Sequence, residues 1–356
     1  MKKILNVGVW GLGRAGQTMH IKEMSAFPEE LRVIAGCDID PERRRLAAER
    51  TPELKIYDTP EAFLADPDLD LITIATRTPD HVDHAIQALE TGRYVVCEKP
   101  VAKTVKEMMR LKAASDKHPG KLFIRHNRRF EKAFRHVLEI IATGKLGWIY
   151  EVKLRRHSFQ WRTDWQTLSQ CWGGQLLNWG PHLIDHALQF LDYDVESVWS
   201  DLKLVAAYGD AEDHFKLIVR GKSGRLVDVE VSGGVPLKEN TYNIHGTRGT
   251  LIVSPDEKTI KMTYLKADAK VPQTVSSPDN PPLTGGFGVK APKENWETEE
   301  FPVAPACGED IGKYFHHVWE TIVEGKPFPV TFEQALEVVR VTEIARQQSV
   351  CNVKNN

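Results

Sequence analysis

A short apolar run, Ile4 to Trp10, passes without a spacer into Gly11-Leu12-Gly13-Arg14-Ala15-Gly16, and a helical pattern starts at Gln17. Strand, glycine turn and helix in immediate succession leave few folds open. The first glycine permits a tight turn, the second lets the backbone approach a pyrophosphate, and the third lets the helix pack on the strand. The amide groups at the helix amino terminus then face the phosphate. Glycines at this spacing mean little alone in a chain with 25 of them; the flanking elements give the pattern its weight. A second strand, Leu31 to Cys37, ends at Asp38. A carboxylate about 20 residues beyond the glycines binds both hydroxyls of a ribose and repels a 2′-phosphate. Gly11, Leu12, Gly13, Arg14, Ala15, Gly16 and Asp38 thus form a candidate dinucleotide site that favours NAD over NADP. Arg43, Arg44 and Arg45 pull the other way, since a nearby arginine accommodates that phosphate. Their competing role is the solvated face of a helix capped by Asp40 and opened by Pro41.

The alternation continues. Lys55 to Tyr57, Asp70 to Ala75, Tyr94 to Cys97 and Leu122 to Ile124 read as strands; Thr59 to Ala65, His81 to Thr91 and Val105 to Lys117 read as helices. This predicts an α/β Rossmann domain, doubly wound, over residues 1–122. Its most informative strand is Tyr94-Val95-Val96-Cys97, apolar throughout and so buried on both faces, followed at once by Glu98-Lys99-Pro100. Ligands of an open parallel sheet sit outside the carboxyl ends of the strands. Glu98 and Lys99 are therefore expected to border the cofactor, as are Thr76 and His81 after the preceding strand.

Over residues 123–356 the rhythm changes to short strands with hardly a helix between them: Trp148 to Ser158, Val198 to Val205, His214 to Val219, Leu226 to Val231, Thr241 to His245, Thr250 to Val253 and Thr259 to Tyr264. This predicts a second, α+β domain with an open, mainly antiparallel β-sheet. Leu226-Val227-Asp228-Val229-Glu230-Val231 alternates cleanly, so one face is buried and the other is polar or covered by a partner. A homodimer or homotetramer formed through the open sheet is expected. Lys266 to Pro305, with seven prolines, reads as a long surface loop or arm. Thr331 to Val350 reads as a closing amphipathic helix.

Bulk properties narrow the partners. Length 356 suits two cores. Lysine plus arginine is 47 against 49 acidic residues, a net charge of -2, so no whole-protein field recruits nucleic acid or an acidic membrane. A small-molecule substrate is expected. Five cysteines are scattered and never spaced as a metal pair, so no metal site is expected and a reducing compartment fits. The start, Met1-Lys2-Lys3 and then Ile4-Leu5-Asn6-Val7, imitates an export signal, but its apolar run breaks at Asn6 and soon reaches Gly11. A cytoplasmic protein without a membrane span is the expectation.

A second chemical stretch runs Gly173-Gly174-Gln175-Leu176-Leu177-Asn178-Trp179-Gly180-Pro181-His182-Leu183-Ile184-Asp185-His186. Asn178, His182 and Asp185 are spaced by four and three, which places them on one helical face. Pro181 predicts a regular helix starting near it, with His182 in the first turn. There the helix dipole keeps an imidazole neutral enough to take a proton, and Asp185 or a backbone carbonyl would set its tautomer. Trp161, Trp165, Trp172 and Trp179 fall within nineteen residues, interleaved with Arg162 and Asp164. Flat apolar faces beside hydrogen-bonding edges suit a pyranose ring, with packing in a domain interface as the alternative. Asn127 and Arg129, just past the last Rossmann strand, are candidates for the same cleft.

The glycine turn, Cys97-Glu98-Lys99-Pro100-Val101 and the Gly173 to Asp185 stretch, in that order, resemble the Gfo/Idh/MocA family of oxidoreductases over nearly the whole chain. The resemblance implies hydride transfer between NAD and a secondary hydroxyl or keto carbon of a sugar, glycoside or cyclitol. It assigns Lys99 to the family's active-site lysine and His182 to its catalytic histidine. Asn178 stands where the family often has aspartate, which makes His182 the single expected base, since an amide takes no proton. Substrate contacts are then expected from Asn127, Arg129, Trp161, Arg162, Trp165, Asn178, His182 and Asp185. Two alternatives stand beside this reading: an NAD-dependent glycosidase working through a transient keto-sugar and elimination, and a non-catalytic cofactor-sensing regulator.

Overall fold

In the computed structural model, the described residues are 2–269, 271, 276–279, 281, 292–349 and 352–353. The first half is a parallel sheet of β1 (Leu5–Trp10), β2 (Leu31–Cys37), β3 (Lys55–Tyr57), β4 (Leu71–Ile74), β5 (Tyr94–Cys97) and β6 (Leu122–Ile124), in the order β3-β2-β1-β4-β5-β6. The connections run through α1 (Lys22–Met24), which continues a π-helical turn over Gly16–Ile21, then α2 (Pro41–Arg50), α3 (Pro60–Leu64), α4 (His81–Glu90) and α5 (Val105–Ser115). Local chemistry sets the helix starts. Asp40 Oδ1 accepts from Glu42 N at 2.9 Å, and Thr104 and Glu107 form a reciprocal capping box at the head of α5. β5 is buried as its apolar run requires: Val95, Val96 and Cys97 are fully inaccessible. Strand order reverses between β1 and β4, which opens a crevice at their carboxyl ends.

The second half begins with α6 (Lys132–Ala142), β7 (Ile149–His157), α7 (Gln175–Asn178) and α8 (Gly180–Phe190). The strands β8 (Val195–Leu204), β9 (His214–Gly221), β10 (Leu226–Ser232), β11 (Tyr242–Gly246), β12 (Gly249–Val253), β13 (Thr259–Leu265) and β14 (Trp296–Pro302) follow. Then come α9 (Tyr314–Glu324), α10 (Phe332–Gln348) and a short β15 (Asn352–Val353). The nine-stranded sheet is antiparallel except where β10 meets β7 and β15 meets β8. α6, α8 and α10 cover one face, with Phe134, Leu183, Ile184, Leu188, Val338 and Val341 in one core with the inward residues of the strands. The other face is polar: Arg155 pairs with Asp228 at 2.7 Å and His157 with Glu230 at 3.2 Å.

Three differences from the sequence reading have clear causes. Part of the stretch expected to be a loop is β14, which pairs with β13 from Thr259↔Pro302 to Leu265↔Trp296; within the rest of it, residues 270, 272–275, 280 and 282–291 lie outside the described residues. The sequence reading places no helix between residue 123 and the first strand of the large sheet, yet α6 lies there and buries Ala133, Phe134, Val137 and Ile140 along one stripe. Tyr314, Phe315, Val318 and Trp319 of α9 pack not on the second sheet but on the first, against Leu5, Val7, Val96 and Phe123. α10 joins the two cores, because Ala335 and Val339 face the parallel sheet while Val338, Val341 and Ala345 face the large one.

Candidate active site

Gly11 turns the chain at φ +101°, a left-handed backbone that suits glycine; a Cβ there would also stand 2.4 Å from the carbonyl oxygen of Ala75. A Cβ on Gly16 would stand 1.9 Å from the Gly11 oxygen. Gly13 is the opposite case, with no atom within 4 Å of the position a Cβ would take. The middle of the turn is thus open to the close approach a pyrophosphate needs. Beside it, Arg14 and Thr18 line a cleft whose other wall is Arg43 and Arg50. Asp38 Oδ2 accepts from Leu12 N at 2.8 Å and Oδ1 from Asp40 N at 2.9 Å, which ties the turn to the end of β2 and leaves each oxygen a second lone pair for a ribose hydroxyl. These features fit a dinucleotide. Arg44 Nη1 donates to the backbone carbonyl oxygen of Asp38 at 2.8 Å and Arg45 pairs with Glu42 at 2.8 Å.

His81 and Glu98, expected beside the cofactor, are buried and held by protein partners. The two ring nitrogens of His81 face the carbonyls of Pro100 at 2.8 Å and Thr76 at 3.2 Å, so this buried ring braces the loops after β4 and β5. Glu98 meets His20 Nε2 at 3.0 Å and Arg125 Nη1 at 2.7 Å, and its Oε2 accepts from Lys99 N at 2.9 Å. Burial pushes its carboxyl up, but the Arg125 charge and the His20 hydrogen bond outweigh it and hold Glu98 well below the ordinary range. This buried anion fixes the backbone from which Lys99 projects to the other side.

Lys99 Nζ donates to the carbonyl oxygen of Asn178 at 3.0 Å and faces its Oδ1 at 3.4 Å. An ammonium from the end of β5 therefore meets α7 from the second half. Burial and the charges of Arg128, Arg125 and Arg14, opposed by Glu98, bring its pKa down to about 8. Lys99, Thr78, Trp165, Trp172, Gly174 and Asn178 line a small cleft. α8 begins at Gly180 with Pro181 in its first turn, as expected, and His182 N donates to Trp179 O at 3.1 Å. His182 lies one turn beyond Asn178, outside that narrow lining. Burial first, then the nearby Lys99 and Arg128 charges, hold its pKa well below the ordinary histidine value. A neutral imidazole beside an ammonium can take a proton from a hydroxyl while the ammonium stabilises the oxygen anion that forms.

The other expected cleft residues divide. Asp185 is 1 % exposed and forms a bidentate pair with Arg129, at 2.6 Å from Nη2 and 2.8 Å from Nε. Arg129 donates further to Pro329 O, Gln334 and Tyr193. The pair bolts the segment after β6 to α8 and α10; Asp185 does not steer the His182 ring, whose Nδ1 has no partner among the described residues. His186 Nε2 faces Arg128 O at 2.8 Å and its ring stacks on Phe134. Trp161 is 70 % exposed and edge-on to Phe159. Arg162 pairs with Asp164 at 2.8 Å and Gln166 at 2.7 Å. Trp165 reaches the cleft, as does Trp172, while Trp179 lies under the Arg128 guanidinium at 4.2 Å. Asn127 is buried with its Oδ1 unpartnered among the described residues. His126, beside it, escaped the sequence reading among four basic and amide neighbours.

An open glycine turn, a carboxylate at the end of β2 and an ammonium at the carboxyl edge of a parallel sheet define a dinucleotide-dependent enzyme. Residues 5–126 match the model of the oxidoreductase family with NAD-binding Rossmann fold, and residues 134–252 match the Gfo/Idh/MocA C-terminal domain; the chain belongs to the Gfo/Idh/MocA oxidoreductase family. Scyllo-inositol 2-dehydrogenase (NADP(+)) of Bacillus subtilis is 25% identical over 97% of this chain and 94% of its own length. Myo-inositol 2-dehydrogenase of Thermotoga maritima is 25% identical over 74% of this chain and 80% of its own. An NAD-binding protein from Listeria innocua has a crystal structure 27% identical in sequence, with TM-score 0.82, covering 97% of this chain and 95% of that one. Among the described residues no helix is long and apolar enough to cross a membrane and no cluster is suited to a metal ion.

Proposed function

We propose that this oxidoreductase interconverts a secondary alcohol and a ketone on a ring carbon of a cyclitol, sugar or glycoside, with NAD as its cofactor. The observation that carries the reading is the meeting of Lys99, from the parallel sheet, with the Asn178 to His182 segment of the second half. Bound nicotinamide supplies the hydride acceptor. His182, held neutral, takes the hydroxyl proton, and the Lys99 ammonium donates a hydrogen bond to the developing alkoxide. The names of two relatives, both inositol dehydrogenases, support a cyclitol. A screen of inositols, sugars and glycosides with NAD, followed at the absorbance of the reduced nicotinamide, tests the proposal. Turnover with none of them would end it, and product formation without accumulating NADH would point to the glycosidase chemistry.

The two groups set a pH profile. Lys99 must be protonated to donate and His182 deprotonated to accept. kcat/KM for alcohol oxidation should therefore be level from below the ordinary histidine value of 6.5 and fall as pH rises through about 8. A Lys99→Arg variant, charged throughout, should keep residual activity without that alkaline limb. An inflection that survives the replacement would assign it to another group.

Cofactor choice rests on Asp38. Its carboxylate favours NAD, whereas one relative is named for NADP and Arg43 stands on the cleft wall. Asp38→Ser should raise the ratio of NADP to NAD efficiency by about tenfold or more, because about 1.4 kcal/mol of lost repulsion and lost ribose bonding corresponds to a factor of ten. An unchanged ratio in steady-state kinetics would remove Asp38 from the selectivity. Oligomerisation through the polar face of the large sheet completes the proposal, and light scattering that finds only monomer would refute it.

A further inference from the structure

α7 is a single turn of four residues, Gln175–Asn178, yet it presents two oxygens to the Lys99 ammonium, the Asn178 carbonyl at 3.0 Å and Asn178 Oδ1 at 3.4 Å. A helix this short does not hold itself in place, and the amide groups of its first turn have no partner inside it. Glu212, in the connection between β8 and β9, supplies two acceptors. Its backbone carbonyl accepts from Gln175 N at 2.9 Å and its Oε1 from Leu176 N at 3.0 Å. Gly174 makes room for the carboxylate: its φ is +103°, and a Cβ there would stand 2.2 Å from Oε1. The base of this cap is rigid, because the carboxylate of the next residue, Asp213, accepts from Val205 N, Ala206 N and Ala207 N at 2.6, 2.8 and 2.7 Å.

The other end of the turn faces the reacting groups. Gly174, Leu177 and Asn178 line the cleft together with Lys99, so a shift of α7 moves the oxygen to which Lys99 donates. Resting on the reading of Lys99 as the group that stabilises the alkoxide, we propose that Glu212 is a positioning residue of the reaction: by capping α7 it fixes the Asn178 carbonyl that holds the Lys99 ammonium at the cleft. A cap of this kind acts by reach rather than by charge. The charges that act on Glu212 are Arg346, Asp213 and, from the segment after β5, Lys103. Those that act on Lys99 are Glu98, Arg128, Arg125 and Arg14, and His182 faces it from α8. The two sets do not overlap. Withdrawal from water pushes the Glu212 carboxyl up to about 7, against the Leu176 amide and the Arg346 charge. The acid form still accepts at Oε1 when Oε2 carries the hydrogen, so proton uptake leaves the cap in place.

Two variants separate reach from charge. Glu212→Gln keeps the reach and removes the charge; Glu212→Asp keeps the charge and falls one methylene short of Leu176 N. In a first measurement, the full chain labelled with 13C at the lysine ε-carbons is titrated with base, and the signal absent from Lys99→Arg spectra is followed. In Glu212→Asp the Lys99 inflection should lie about one unit below that of the wild type, since a loosened hydrogen bond from an ammonium weakens its hold on the proton by about tenfold. In Glu212→Gln it should stay close to the wild type. An inflection that stays put in Glu212→Asp, or that moves as far in Glu212→Gln, overturns the inference whether or not turnover is seen. In a second measurement, kcat/KM for the best alcohol of the substrate screen is followed against pH. Its alkaline limb should move to lower pH in Glu212→Asp and return in Glu212→Gln. A Lys99 shift without turnover on any alcohol leaves the cap standing and removes the oxidoreductase reading. Turnover whose alkaline limb ignores both substitutions does the reverse.

Discussion

Lys99→Ala and His182→Ala should each lower turnover by at least two orders of magnitude while NADH still binds, since a positioned acid or base contributes roughly a hundredfold to ten-thousandfold. Both halves of this expectation follow from placement. Lys99 extends from the carboxyl end of β5 onto Asn178 O at 3.0 Å, and His182 sits in the first turn of α8. The open Gly13 and the Asp38 carboxylate belong to the β1 and β2 ends, so neither substitution touches them. Stopped-flow turnover paired with a fluorescence titration of NADH separates the two effects. The double variant should be little worse than the poorer single one, because groups that serve the same proton transfer are strongly non-additive. Near-normal turnover in either single variant would take the assigned role from that residue, and loss of NADH binding in both would turn them into cofactor-site residues.

The parallel half is legible in the sequence because its signals are local. A strand without a polar residue is buried on both faces wherever it sits, and Asp40-Pro41 or Thr104 with Glu107 starts a helix whatever follows. Lys99 and His182 are legible for a different reason, through motifs shared with a family. β14 escaped because Glu297, Glu299 and Glu300 give it the charge of an exposed edge strand, which reads as a loop. α9 carries a clear apolar stripe, but only the tertiary structure shows that it covers the sheet formed some 200 residues earlier in the chain. His126 was hidden by composition: between Arg125 and Arg128 it looks like one more solvated basic residue, yet it is 3 % exposed.

Arg129 and Asp185 show the limit most sharply, since an arginine and a carboxylate 56 residues apart look the same whether they hold a ligand or each other. Arg129→Met should cost about 3–5 kcal/mol of stability, because it leaves the Asp185 charge buried without its partner. Asp185 is 1 % exposed and Arg129 also anchors Pro329 O, Gln334 and Tyr193, so the surrounding packing gives the orphaned carboxylate no route to water. Burial alone would raise the Asp185 pKa; the guanidinium outweighs it and holds the carboxyl below its ordinary 3.8. The pair's contribution is thus complete above that value and fades as pH falls below it. Urea unfolding at pH 7 reads the loss. The double variant Arg129→Met, Asp185→Leu should recover much of it, since replacing both members of a buried pair with apolar residues is often close to neutral. A single variant as stable as the wild type, with a KM for myo-inositol raised at unchanged kcat, would instead return the two residues to the substrate.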